Sequence, residues 1–152
     1  WTTSGLSSPL VISGLPEGDI FDCSATVSNL VGQSPMSNLI SFDTAIAPAA
    51  PSIPRTDYGD EEIYLYVAAG SDGGRPITSF TGTCTDGNSS YSSTSSSDTI
   101  TISGLSNDTP YTCVVVATNA IGTSPNSAST APITPEYTPT GLPIWLLYEA
   151  SK

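Results

Sequence analysis

Apolar and polar positions alternate along this chain in short runs and never settle into a helical stripe. Ile63-Tyr-Leu-Tyr-Val67, Thr99-Ile-Thr-Ile102 and Tyr111-Thr-Cys-Val-Val-Val-Ala117 are rich in β-branched or aromatic residues and read as half-buried strands. Turn formers punctuate them, with 13 Gly and 13 Pro spread along the sequence. No stretch carries a helix of three turns. The pattern predicts an all-β fold of short antiparallel strands stacked as a sandwich.

A second regularity sets the organisation. When the chain is laid on itself with a displacement of 90 positions, Ile12-Ser-Gly-Leu15 falls on Ile102-Ser-Gly-Leu105. In the same frame Phe21-Asp-Cys23 falls on Tyr111-Thr-Cys113, and Asn29-Leu-Val-Gly-Gln-Ser-Pro35 on Asn119-Ala-Ile-Gly-Thr-Ser-Pro125, without a gap. A repeat of that length suits one small sandwich. Residues 46–135 are therefore expected to form a complete unit, residues 1–45 the second half of another, and residues 136–152 a Pro-containing linker and an apolar tail.

These residues resemble the fibronectin type III domain in its bacterial extracellular form. The likeness runs from the Pro-rich entry Ala47-Pro-Ala-Ala-Pro51-Ser-Ile-Pro54 through strand B (62–68), the turn Asp72-Gly-Gly-Arg-Pro-Ile77 and strand C (78–84). It continues through strand E ending at Leu105, Tyr111 in the tyrosine-corner position, and the F–G hairpin Ala117-Thr-Asn-Ala-Ile-Gly-Thr-Ser124. The resemblance implies an immunoglobulin-like sandwich of antiparallel Greek-key sheets. In it the Tyr111 ring seals one end and its hydroxyl bonds back to the loop backbone, with Phe21 in the equivalent place of the first unit. Val67 departs from the family, which often has Trp there, so smaller side chains must fill that layer.

The same resemblance places Cys84 on strand C and Cys113 on strand F, strands that pair in this fold, and so implies a Cys84–Cys113 disulfide. Cys23 falls on Cys113 in the repeat, and its partner would sit on a strand C that residues 1–45 do not contain. It is either a buried thiol packing as a small hydrophobe, or one that pairs with a cysteine from another chain or from a segment removed upstream. Thiols used this way imply an oxidising compartment.

A half-sandwich of strands E, F and G alone would expose Leu15, Phe21, Ala25 and Val27 and leave a strand edge unpaired. At the other end, Leu142-Pro-Ile-Trp-Leu-Leu-Tyr148 is the most apolar stretch of the chain. It is too short to cross a bilayer. Leu142, Ile144, Trp145, Leu146, Leu147 and Tyr148 put apolar groups on both faces of an extended segment, which suits a strand buried on both sides. The tail is expected to dock, either on its own chain or as an added strand on the incomplete first unit of another copy, giving a head-to-tail polymer.

Charge then narrows the partners. Three Lys and Arg stand against 14 Asp and Glu, for a net charge of −11, and there is no His. Repulsion between so acidic a chain and phosphates or anionic headgroups argues against nucleic-acid or membrane-surface binding. Without imidazole, the usual base of a nucleophilic triad and most zinc sites are lost. Asp57, Asp60, Glu61 and Glu62 cluster before strand B, but without the spacing of a calcium loop. They read as solvated loop charges, so no metal, cofactor or catalytic residue is assigned. The run Ser89–Ser97 reads as a flexible edge connection. Asn88 and Asn107 head short N-glycosylation patterns, and Tyr58, Tyr64, Tyr66 and Tyr91 offer rings to a glycan, although alternation favours ordinary cross-strand packing.

The expected function is that of a non-enzymatic, secreted structural or adhesive protein at a bacterial cell surface. Its partners would be copies of itself, other surface proteins or a glycan. The alternative is an accessory spacer or carbohydrate-binding module of a secreted polysaccharide-degrading enzyme.

Overall fold

A computed structural model describes residues 1–137. Its strands are β1 Ile20–Cys23, β2 Ile40–Asp43, β3 Ser52–Gly59, β4 Glu62–Ala68, β5 Ser79–Thr85, β6 Ser90–Ser95, β7 Thr99–Ser103 and β8 Thr112–Thr118. One antiparallel sheet has the order β3-β4-β7 and a second the order β6-β5-β8, while β1 and β2 pair only with each other. The two three-stranded sheets make the sandwich of residues 46–135.

Period-two alternation builds its core. β4 turns Ile63, Leu65 and Val67 inward, β5 contributes Phe80 and Cys84, β7 Ile100 and Ile102, and β8 Cys113, Val115 and Ala117. Outward-facing residues of β4 are held in two ways: across the sheet the Arg55 guanidinium lies 4.5 Å from the centre of the Tyr66 ring, and along the strand the Tyr64 hydroxyl donates to Glu62. Where β5 crosses Leu65 and Ile100, Gly82 keeps the layers close; a Cβ there would sit 3.0 Å from Leu65 Cδ1. Tyr111 is buried and its hydroxyl accepts the Ser106 N–H at 3.1 Å, closing the end of the sandwich.

The polar run Ser89–Ser97 is not a loose connection. It forms β6, held to β5 by hydroxyl pairs Thr81–Thr94 and Thr83–Ser92, each at 2.9 Å. Tyr91 anchors it, turning inward to meet the Tyr111 ring edge-on at 5.8 Å. Apolar alternation is blind to a strand whose cross-strand contacts are made by hydroxyls.

Beyond β8 the last segment pairs in steps of three residues against two. The N–H groups of Ser124, Ser127 and Thr130 donate to the carbonyls of Ala117, Val115 and Cys113. In return, the N–H groups of Ala117, Val115 and Cys113 donate to the side-chain oxygens of Ser124, Ser127 and Thr130. Three residues per turn is the step of a polyproline helix. Hydroxyls at that spacing replace the backbone carbonyls that an ordinary ladder would present.

Residues 1–45 reproduce the turns, the hydroxyl-paired segment and one aromatic contact of this half. Ser34 and Ser37 exchange the same bonds with Val27 and Ala25, and Asn29 holds its turn as Asn119 does. Gly14 and Gly104 share a positive φ, and so do Gly18 and Asp108. Trp1 meets Phe21 edge-on at 5.4 Å, as Tyr91 meets Tyr111. The expected strand E of this half does not form, and residues 24–28 are not a strand as residues 114–118 are. The cause is the same in both places: β7 needs β4 beside it and β8 needs β5, and residues 1–45 have neither neighbour.

Candidate interaction surface

The difference between the two units is therefore what covers them. Leu10 is 49% exposed where its counterpart Ile100 is fully buried, and Val27 is 74% exposed where Ala117 is fully buried. Trp1, Leu10, Ile12, Cys23, Ala25 and Ile40 are among the residues lining a groove of about 470 Å³. None of the side chains lining it is charged, although the chain carries 14 acidic side chains. On one flank lie Trp1, Thr2 and Thr3, the counterparts of β6; on the other lie Cys23 to Thr26, the counterparts of β8. In the complete unit the strand between those two is β5.

Cys84 and Cys113 face each other directly in the β5–β8 register and are joined as a disulfide with Cα atoms 4.0 Å apart. Cys23 is a free, half-buried thiol on β1, whose edge away from β2 is unpaired. Phe21 takes the place of Tyr111, packed between the Trp1 ring, which it meets edge-on, and the tilted Phe42 ring. Leu142, Ile144, Trp145, Leu146, Leu147 and Tyr148 lie outside the described residues.

The other named polar groups are occupied locally. Arg55 pairs with Asp57 at 2.9 Å, and Asn107 donates to Asp60 while accepting the Glu61 N–H. Among the described residues no three Cys, Asp or Glu converge as a metal site. The N–H groups of Ser89 and Asn88 hold the Asp86 carboxyl below its ordinary pKa, and the Glu62 carboxylate pushes the Tyr64 hydroxyl above its own. Tyr58 is exposed, whereas Tyr91 is committed to Tyr111.

The junction between the units is a feature that motif reading passed over. Arg75 donates to the Gly18 carbonyl at 3.0 Å and pairs with Asp43, linking the first unit to the turn before β5. Asn119, buried, donates to the carbonyls of Ile46 and Asp72 at 2.9 and 2.7 Å, which fixes the connecting segment. Ile46 and Ala49 donate to Gly73 and Ser71 alongside it. Gly18 packs on Gly74 so closely that a Cβ on Gly18 would lie 2.4 Å from Gly74 Cα. Sequence offered one signal for this: Arg75 is one of three cations in an acidic chain.

No protein-family model and no curated protein sequence matches the chain. Solved structures do. Domains A168–A170 of titin align over 81% of this chain at 21% identity with a TM-score of 0.58. The FN1–FN3 domains of chicken CNTN1 align over 80% at 14% identity and 0.53. The twitchin kinase region from C. elegans aligns over 60% at 26% identity and 0.54. The chain spans 43%, 44% and 17% of those structures, respectively. The likeness establishes an immunoglobulin/fibronectin type III-like β-sandwich fold.

Proposed function

We propose that the chain is a non-enzymatic structural or adhesive element of an extracellular assembly at a bacterial surface. In this reading it is a spacer of tandem sandwiches, joined end to end by a clamped junction. The observation that carries the reading is the recurrence, in residues 1–45, of the turns and the hydroxyl-paired segment of the disulfide-braced unit, joined to it by a junction that Arg75 and Asn119 bond.

The narrower form of the proposal is head-to-tail growth, in which the tail Leu142–Tyr148 of one copy adds as a strand to the open unit of the next. Light scattering after size exclusion, with negative-stain microscopy, tests it on the intact chain and on a chain ending at Thr140. Filaments or large oligomers that disappear on truncation support growth through the tail. Monomers in both cases remove the polymer and leave the spacer.

A further inference from the structure

We propose that Asn88 is the attachment site of an asparagine-linked oligosaccharide, and that Asn107 is not one although it heads a triplet of the same kind. The inference rests on the reading of the chain as extracellular and adds a modification to it. By sequence the two positions are alike, since Asn88-Ser-Ser90 and Asn107-Asp-Thr109 both carry a hydroxyl two residues on. The structure separates them.

Asn107 is committed to the fold. Its Nδ2, the atom that would carry the sugar, donates to Asp60 at 2.7 Å, and its Oδ1 accepts the Glu61 N–H at 3.0 Å. Those bonds tie the turn after β7 to the turn between β3 and β4, where Glu61 is held at a positive φ. Asn107 and Thr109 are both half-buried. Asn88 stands the other way. It is exposed in the β5–β6 turn, and that turn is closed without its side chain: the N–H groups of Asn88 and Ser89 donate to Asp86, and the Thr85 hydroxyl donates to the Ser89 carbonyl. This leaves the Asn88 amide and the Ser90 hydroxyl, both on exposed residues, without a partner among the described residues.

The surroundings of Asn88 suit a bulky hydrophilic group. The turn lies at the far end of β5 from the clamped junction, about 20 Å along a strand of seven residues, so a glycan there clears Arg75 and Gly18. It also stands at the head of an open strand edge. Cys113 exchanges its main-chain bonds with Thr130, so its β5 partner Cys84 turns its own toward β6, at Tyr91. Alternation then directs the N–H and C=O groups of Ser90, Ser92 and Thr94 outward. β3, at the edge of the other sheet, is guarded by Pro54, Arg55, Asp57 and a break in register, whereas β6 is unbroken and carries no proline and no charge. A glycan two residues before Ser90 puts bulk beside that edge.

Attachment is a glycosyl transfer from a lipid-linked oligosaccharide diphosphate. Nδ2 of Asn88 bonds to the anomeric carbon as the bond from that carbon to the diphosphate oxygen breaks. The lipid diphosphate leaves with the electron pair, and the amide proton passes to the transferase or to solvent. Nothing is oxidised or reduced.

The test supplies the transferase: the intact folded chain is incubated with a purified single-subunit oligosaccharyltransferase and its lipid-linked donor, and the sites are mapped by mass. Synthetic peptides of residues 84–92 and 103–111 serve as unfolded references, and both are expected to be modified. In the folded chain Asn88 is expected to be modified faster than Asn107 by roughly tenfold or more, because Asn107 must first give up two hydrogen bonds. Asn88→Gln and Ser90→Ala are each expected to abolish the faster modification. Transfer to Asn107 as fast as to Asn88, or a folded chain that is not modified at Asn88, overturns the proposal. Because donor and enzyme are provided, neither result bears on the light-scattering test of the extracellular spacer, and the two fail separately.

Discussion

Individual residues in this protein are fixed by backbone groups more than by one another. Asp86 shows it best: its carboxylate accepts the N–H groups of Ser89 at 2.7 Å and Asn88 at 2.8 Å in the turn between β5 and β6. Those donors favour the ionised form, so the folded-state pKa lies below the unfolded one. The stabilisation is present above the unfolded pKa and is lost as pH falls through the lower, folded value. Replacement by Asn removes that dependence. Urea midpoints followed from pH 6 downward are expected to fall less steeply in Asp86→Asn than in the parent below about pH 4. A steeper fall in the variant would show that the turn does not prefer the charged carboxylate. Arg75 and Asn119 work by the same logic: each donates to backbone carbonyls, so the turn and the repeat that contain them mark their places but not their partners.

Among the elements, the hydroxyl-paired segment after β8 makes a sharper case because the protein contains it twice in different surroundings. Ser127 accepts the N–H of Val115, which is buried. Its repeat counterpart Ser37 accepts the N–H of Ala25, which is exposed. Removing a buried acceptor strands a donor away from water and costs about 1–3 kcal/mol, whereas an exposed N–H recovers a bond from solvent. Ser127→Ala is therefore expected to lower the stability of the sandwich by that amount and Ser37→Ala by under about 0.5 kcal/mol, as read from chemical denaturation. Equal losses would mean that Ala25 is covered in solution. The same pair shows what the sequence holds and what it hides. β4, β5, β7 and β8 were legible because burial on one face writes period two into the side chains. The repeat was legible because turns and cysteines recur in register. Hidden were β6, whose contacts are hydroxyl pairs, and the loss of strand E in the first unit. Leu10 and Ile12 alternate as Ile100 and Ile102 do, but a strand needs a neighbour and the pattern of one segment does not say whether the neighbour is present. The groove was half legible: of Leu15, Phe21, Ala25 and Val27, expected to be uncovered, Ala25 and Val27 are exposed and Leu15 and Phe21 half-buried, while the part of Trp1 as the counterpart of Tyr91 shows only in the structure.

For the whole molecule, what matters mechanically is whether the two units hold one orientation. A spacer transmits position only if its junctions resist bending, and a junction of a few hydrogen bonds is by default mobile. Here the chain between Asp43 and Ala49 is pinned by Asn119, while the contact between the units depends on the Arg75 guanidinium and on the approach of Gly18 to Gly74. The Arg75–Asp43 pair is partly exposed, with side chains 29% and 41% accessible, and contributes on the order of 0.2–1 kcal/mol in water. Its effect is on geometry. Because Arg75 also holds the Gly18 carbonyl, it fixes direction as well as distance, which a lysine, as a single point charge without a fork, does not do. Arg75→Lys and Arg75→Ala are expected to leave the unfolding midpoint of residues 46–135 within about 0.5 kcal/mol of the parent. Both are expected to broaden the distribution of distances between spin labels placed at Ser4 and Ser90, with the alanine variant broader. Protease cleavage between Asp43 and Ala49 should quicken in the same order. Distributions that stay as narrow as the parent's would locate the stiffness in the glycine contact instead, and Gly74→Ala, whose added Cβ would lie 2.1 Å from Gly18 Cα, would then be the variant that frees the first unit from the second.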